Sequence, residues 1–357
     1  MASEFNLRNI VRPHIWALTP YSSARDEYTG KEGIFLDANE NPFGSATPTP
    51  HNRYPDPYQQ EIKSLLAPIK GVRTDQIFLG NGSDEAIDLL IRATCRPSID
   101  NIMILPPTYG MYEVSAHVND VEVLKVPLTE AYQIDLEKIL ATVNATTKII
   151  WVCTPNNPTG NSIDPERIHK LLSTFNGLVV VDEAYIDFSN QPSWTTQLEA
   201  YPNLVVLQTF SKAWGLASLR TGMCFASAEL IRILNKIKPP YNIGGPSQAL
   251  LLEALQQKDR VKVMIEDILQ QRSYLAEALV KLPQVQQVYP SDANFLLVRF
   301  EDAKAAMAHL IDEKIIVRDR SKVILCDNCL RITVGTKEEN EALIQSLKKL
   351  AMLTRSH

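Results

Sequence analysis

Glycine is scarce in this chain, at 14 of 357 positions, and its 22 prolines follow no period. Collagen and low-complexity classes are therefore excluded, and 45% hydrophobic with 22% charged residues is ordinary globular usage. No repeat of ~20 to 50 residues is present, which removes the solenoid classes. No apolar run approaches the roughly 18 residues needed to cross a bilayer, so no membrane partner is expected. The opening MASEFNLRNIVRPHIW lacks the apolar centre of a signal peptide, and a cytoplasmic location is expected. Positive charge is not in excess either. Lys plus Arg number 36 against 41 Asp plus Glu, a formal charge of −5, so no broad cationic face is expected for a nucleic acid backbone. The expected partners are small molecules.

The five cysteines (Cys95, Cys153, Cys224, Cys326 and Cys329) are odd in number and dispersed, which suits a reducing compartment and argues against a disulfide framework. Cys326 and Cys329 form a CxxC, but no second pair and no nearby histidine completes a metal set. Nor does the pair open a helix after a strand, as a redox motif would. No metal is expected, and the spacing reads as chance.

What is present is an order of elements. Apolar β-rich runs alternate with helical patterns: IFLG (77–80) before a helix from Ser83, NIMIL (101–105) before one near Met111, and VEVLKVPL (121–128) before 136–143. KIIWVCT (148–154) precedes a helix opened by Asp164-Pro165, an N-cap with proline at the first helical position. LVVVDEAY (178–185), NLVVLQTF (203–210) and GMCFA (222–226) follow. Strands that are continuously apolar and separated by helices predict a mostly parallel sheet of seven strands covered on both faces. Beyond Pro239-Pro240-Tyr241 the pattern predicts a long helix over 247–282, strands at 294–300, 315–319 and 330–335, and a terminal helix over 337–353. The expected organisation is an N-terminal arm (1–35), a large α/β domain (36–245) and a small α+β domain (246–357) against which the arm packs.

Ligands of open α/β sheets bind beyond the carboxyl ends of the strands. Polar residues at those ends are Asn157 in TPNNPTG, Asp182 and Tyr185 in VVVDEAY, and Ser211 and Lys212 in TFSK, with Arg220 eight residues later. GNGSDE places Ser83 and Asp84 at a helix start whose free amides suit an anion. Taken singly, Lys212 is a solvated lysine, Asp182 a cap and NPTG a turn. In order on successive strand ends, they converge on one chemistry. A lysine with a lowered pKa can form a Schiff base with an aldehyde, and a carboxylate can keep a pyridine nitrogen protonated. Asn157 and Tyr185 can hydrogen-bond a phenolate oxygen, while Arg220, Ser211 and the helix start can hold a phosphate. These are the requirements of pyridoxal 5′-phosphate.

TPNNPTG, VVVDEAY and FSKAWGLASLRTG resemble, in order and spacing, the motifs of fold-type I pyridoxal-phosphate aminotransferases. More narrowly, LDANENPFG (36–44), RYPDP (53–57), GNGSDEAID (80–88), PPTYGMY (106–112), KPPYNI (238–243) and CLRITVG (329–335) resemble those of histidinol-phosphate aminotransferases over nearly the whole chain. The resemblance implies a homodimer of two-domain subunits that moves an amino group between glutamate and imidazole acetol phosphate in histidine biosynthesis. It implies that Lys212 is the cofactor-linked catalytic lysine, that Asp182 pairs with the pyridinium, and that Asn157 and Tyr185 hold the ring oxygen. Tyr109 stacks on the ring. Ser83, Asp84, Ser211 and Arg220 form the phosphate cup, which Tyr54 enters from the other subunit. Arg331 forks onto the substrate carboxylate, Arg318 and Tyr21 lie at the substrate-phosphate end, and Asn39 is a further substrate-binding residue. The alternatives are an aromatic amino-acid aminotransferase and a threonine-phosphate decarboxylase.

Overall fold

The computed structural model describes residues 5–22 and 32–355. The continuously apolar runs form seven strands: β1 (Ile77–Asn81), β2 (Asn101–Ile104), β3 (Glu122–Lys125), β4 (Thr147–Cys153), β5 (Leu178–Asp182), β6 (Leu204–Thr209) and β7 (Thr221–Phe225). Their order is β1-β7-β6-β5-β4-β2-β3. All neighbours run parallel except β7, which is antiparallel to both β1 and β6. Every residue of β5 and β6 is buried, as expected of strands covered on both faces. Alternation divides them between two cores. Val179 and Val181 of β5 face one layer, whereas Leu178 and Val180 face the other together with Tyr112 and Trp151. By that parity Asp182 points toward Tyr112 and Trp151.

The small domain is a four-stranded antiparallel sheet, β10-β11-β9-β8, built from β8 (Val285–Val288), β9 (Phe295–Phe300), β10 (Arg318–Asp319) and β11 (Cys329–Thr333). Leu296, Val298, Phe300, Leu330 and Ile332 form a core with the helices Lys258–Val280, Ala303–Asp312 and Lys337–Arg355. The opposite parity, Phe295, Leu297 and Cys329, joins the core of the large domain. Arg331 has the parity of Cys329 and is carried toward the seven-stranded sheet.

Four local expectations are corrected. The long helix is two, Gly245–Leu255 and Lys258–Val280. The stretch Gln256–Arg260 offers no apolar anchor, and the two halves pack on different partners, the first on the helix Gln60–Lys70 and the second on β8. The strand expected at 315–319 shortens to Arg318–Asp319, because Lys314 turns the chain at φ 60° and Ile316 is exposed. β8 was not foreseen, its four residues VQQV being only partly apolar. The described part of the arm packs on the large domain instead of the small one. Leu7 and Val11 are buried in the core containing Ile87, Leu90 and Leu230, Arg12 N–H donates to Ala93 O at 2.8 Å, and Lys236 Nζ donates to Trp16 O at 2.8 Å.

One backbone contact sets the geometry at the start of the helix Gly82–Thr94. The helix Gly82–Thr94 begins against β7, where Gly82 N–H donates to Arg220 O at 2.6 Å and Gly82 itself has φ +69°. A Cβ on Gly222 would lie 2.2 Å from Ser83 N and 2.3 Å from Gly82 C, both backbone atoms that have no room to retreat. Gly222→Ala is therefore expected to cost about 2 kcal/mol or more and to lower the thermal midpoint of unfolding. A variant melting with the wild type would show that the helix start does not press on β7.

Candidate active site

Asp182 ends β5 at the centre of the sheet and is 3% exposed. Tyr112 Oη donates to its Oδ2 at 2.6 Å and Ala184 N–H to its Oδ1 at 3.1 Å. Tyr112 is held by a stack on Trp151, with ring centroids 4.8 Å apart and planes at 13°. Burial outweighs both hydrogen bonds and pushes the Asp182 pKa up to about 6. Among the described residues no cation pairs with it, so the carboxylate faces the cavity as an anion short of a partner.

Lys212 follows β6, where Ser211 N–H donates to Thr209 Oγ1 at 3.1 Å, and Nζ stands 5.6 Å from the centre of the Tyr185 ring. Its pKa is lowered, first by burial and then by the charges of Arg331 and Arg220, which together outweigh Asp182 and Asp84. A fraction of free amine is thereby available, which the chemistry of a reactive lysine needs.

The end of the cavity whose donors suit an anion is the start of the helix Gly82–Thr94. Its first amides lack intrahelical acceptors and carry the positive end of the helix dipole. Arg220, held at φ +50°, points its Nη2 to within 3.4 Å of Asp84 Oδ2, and Tyr109 Oη donates to Asp84 Oδ1 at 3.0 Å. The Asp84 carboxylate is thus committed to protein partners, and what Asp84 offers an anion is its backbone N–H.

On the opposite side, Asn157 Nδ2 lies 3.5 Å from Tyr185 Oη. Arg331 Nη1 donates to Asn157 Oδ1 at 2.6 Å and its guanidinium sits 5.3 Å from the Phe295 ring centre. The small domain thus touches the large one at the cavity through Arg331.

One cavity is lined by Ser83, Asp84, Tyr109, Asn157, Asp182, Tyr185, Ser211, Lys212 and Arg220. Four sequence candidates stand elsewhere in the chain. Tyr54 stacks on Tyr241 at 4.4 Å and, with Asn39, lines a separate hollow beside Gly245. Tyr21 is exposed, and so is Arg318 on β10. Tyr112 was missed by the sequence, although PPTYGMY contains it. Its signal is the three-residue spacing from Tyr109 at a helix start, which puts both rings on one side, 5.6 Å apart. Thr209 and Cys153 also line the cavity and carried no signal of their own. Cys326 and Cys329 are free and buried.

The raised Asp182 pKa has a defined pH consequence. In the cofactor-free protein, stability associated with this group is complete below its unfolded value of 3.8 and is lost as pH rises through about 6. Asp182→Asn does not titrate, so the variant should gain on the wild type between pH 4 and pH 7 by about 3 kcal/mol at most. Thermal unfolding of both proteins across that window reads the sign. A constant difference would show that Asp182 is not held against its ionisation.

The chain matches the family model "Aminotransferase class I and II" over residues 33–347. It is 56% identical to the histidinol-phosphate aminotransferase of Cytophaga hutchinsonii over 96% of this chain and 99% of that protein. With the histidinol-phosphate aminotransferase of Parabacteroides distasonis it shares 51% identity over 97% of this chain and 99% of the other. The crystal structure of the histidinol-phosphate aminotransferase from Clostridium acetobutylicum superposes with a TM-score of 0.78 at 24% identity, covering 85% of this chain and 91% of that one, and shares the fold. With likeness of this extent spanning the sheet, the cavity and Arg331, the chain belongs to the class I and II aminotransferases, in the family of the histidinol-phosphate aminotransferases.

Proposed function

We propose that the chain transfers an amino group reversibly between L-glutamate and imidazole acetol phosphate, yielding L-histidinol phosphate and 2-oxoglutarate, as a step of histidine biosynthesis with pyridoxal 5′-phosphate as cofactor. The observation that carries this is the single cavity in which Lys212, Asp182, Asn157, Tyr185 and Arg220 meet. The donor set fits the cofactor. A helix start with Arg220 suits the phosphate, and a buried carboxylate with no cation of its own suits a protonated ring nitrogen.

When bound, pyridoxal phosphate supplies an electron sink that makes the proton on the substrate Cα removable. Asp182 would keep the ring nitrogen protonated, because a cation there would add the stabilisation that its two hydrogen bonds do not fully provide. Lys212, whose pKa is lowered, would take the substrate Cα proton as a base and then, as an acid, deliver it to the carbon on the far side of the amino nitrogen. Arg331 binds the glutamate α-carboxylate, a planar bidentate task suited to a guanidinium. Asn157 links these two ends, since its carbonyl oxygen accepts from Arg331 while its amide nitrogen faces Tyr185. Tyr109 covers the ring, and Ser83, Asp84 and Ser211 add donors at the phosphate.

A homodimer and a cytoplasmic location complete the proposal. Supporting the dimer, Ile34, Leu36, Phe43 and Tyr54 are exposed by 90%, 87%, 97% and 51% along one stretch of the chain. Large apolar side chains in such a run call for a cover, and a second copy offers one. Tyr54 of the partner subunit then serves the phosphate end of this chain's cavity, and Tyr21 and Asn39 stand on the substrate side.

Wild type should use L-histidinol phosphate over L-phenylalanine by more than about ten-fold in kcat/KM, and Lys212→Ala should abolish turnover of both. Comparable efficiency on the two amines would promote an aromatic aminotransferase, and carbon dioxide released from threonine phosphate a decarboxylase. For the dimer, inactive Lys212→Ala mixed with a weakened Tyr54→Phe variant should recover activity, because hybrid dimers hold one site with both native residues. No recovery in hybrids verified by mass would confine Tyr54 to its own chain.

A further inference from the structure

The segment 238–243 stands between two parts of the chain that the proposed function uses in different sites. On one side it is tied to the stretch that carries Tyr54. Lys238 Nζ donates to Pro57 O at 2.8 Å, and Gln248 Nε2 spans Asp56 O at 2.9 Å and Ile243 O at 3.1 Å. The Tyr241 ring stacks on that of Tyr54, with centroids 4.4 Å apart and planes at 17°. Tyr54 is half-exposed, so this stack and the donation of its N–H to Glu40 Oε1 at 2.7 Å aim a ring that the solvent leaves uncovered.

On the other side Asn242 is tied to the end of β1. Its Nδ2 donates to Leu79 O at 2.9 Å and to Glu85 Oε2 at 3.1 Å, and its backbone carbonyl accepts from Asn81 Nδ2 at 2.5 Å. Glu85 Oε2 also accepts from Asn81 N–H at 2.5 Å, so one carboxylate oxygen gathers charge-assisted bonds from both asparagines. Asn81, Glu85 and Asn242 thus brace the turn from β1 into the helix Gly82–Thr94, whose first residues Gly82, Ser83 and Asp84 line the Lys212 cavity. Among the described residues, Asn242 Oδ1 is buried without a donor. An acceptor left so costs stability, and the orientation responsible is the one that sends the amide nitrogen to Leu79 and Glu85.

Tyr241 and Asn242 are adjacent, so a shift of this segment moves both attachments. We propose that Asn242 is a positioning residue for two cofactor sites at once: it holds the phosphate-binding amides of its own chain and, through Tyr241, the tyrosine that its chain presents to the other subunit. This rests on Tyr54 acting across the dimer and on the helix start binding the cofactor phosphate. Titrating the apoprotein with pyridoxal phosphate and with pyridoxal, which lacks the phosphate, isolates that end of the site. Asn242→Ala should raise the dissociation constant of pyridoxal phosphate at least about ten-fold, the magnitude of a lost charge-assisted hydrogen bond, and that of pyridoxal by less than about three-fold. Tyr241→Ala, which loses one aromatic stack, should raise the first by about three-fold or more. Each variant is then paired with Lys212→Ala. Cofactor fixed by borohydride on Lys212 reports only the site whose partner subunit is intact at 241 and 242. In isolated hybrid dimers verified by mass, Tyr241→Ala and Tyr54→Phe should return to wild-type affinity, and Asn242→Ala only part of the way. Should the alanine variant not fold, Asn242→Ser takes its place in every arm.

Equal losses for pyridoxal phosphate and pyridoxal would reduce Asn242 to a structural part. Full return of Asn242→Ala in the hybrids would remove its role in its own chain, and no return would remove its role across the dimer. If Tyr54→Phe stays weak in the hybrids, the reading of Tyr54 across the dimer fails and the second role with it. An unchanged dissociation constant in the Asn242→Ala homodimer would overturn the first role on its own.

Discussion

A carboxylate that has to work as an anion is buried at the centre of the sheet, and the surrounding structure is organised by that cost. Asp182 receives one hydroxyl and one amide donor, too little to hold its pKa at the ordinary value. The protein could have lowered it with a third donor or an arginine. Instead Asp182 lines a cavity that Lys212 and Arg220 also line. On the proposed function, the cofactor's ring nitrogen is the missing cation, so the apoprotein's electrostatic deficit becomes binding free energy. Glu183, the next residue, points to the other face and accepts from Ser193, Trp194 and Gln208. Burial outweighs those bonds as well and pushes its pKa up to about 7, but it does not line the cavity that holds Lys212.

The two domains divide the labour along a physical line. Strand ends of the large sheet provide rigid, backbone-fixed positions for ring and phosphate, where a displacement of an ångström is costly. On the proposed function, the face of β11 carries Arg331, which meets the substrate. β11 is bonded to β9 and β10, so Arg331 moves as a unit with the small domain. Charge on this ladder also reaches the large domain, because Arg331 bonds Asn157 and its charge helps to lower the Lys212 pKa.

Much of this was legible in the sequence because strands buried on both faces advertise themselves as unbroken apolar runs, and the polar residue that ends each run marks its carboxyl end. LVVVD, LVVLQTFSK and the NPTG turn were readable for that reason. What was not legible depended on partners far away in sequence. Nothing in QQKDR says that the helices on either side of it seek different neighbours. Leu7 and Val11 belong to a helix of only four residues and its cap, too short to establish a period, so their docking site is visible only once the helix Gly82–Thr94 is in place. Tyr112 lay inside a recognised motif, but its partner Asp182 is 70 residues on.

The contact between Gly222 and the start of the helix Gly82–Thr94 has an implication for how the chain acquires its site in time. Among the described residues β1 lies at the edge of the large sheet and pairs with β7 alone, so the strand that leads into the helix Gly82–Thr94 meets that partner some 140 residues later. During synthesis, β2 to β6 can assemble as a parallel core while β1 and its helix wait for residues 221–225 to leave the ribosome. Closing so large a loop is slow compared with the local pairing around it. The anion cradle is thus among the last parts of the large domain to be set, and a nascent chain of 200 residues, though it has Asp182 in hand, has no finished place for a phosphate.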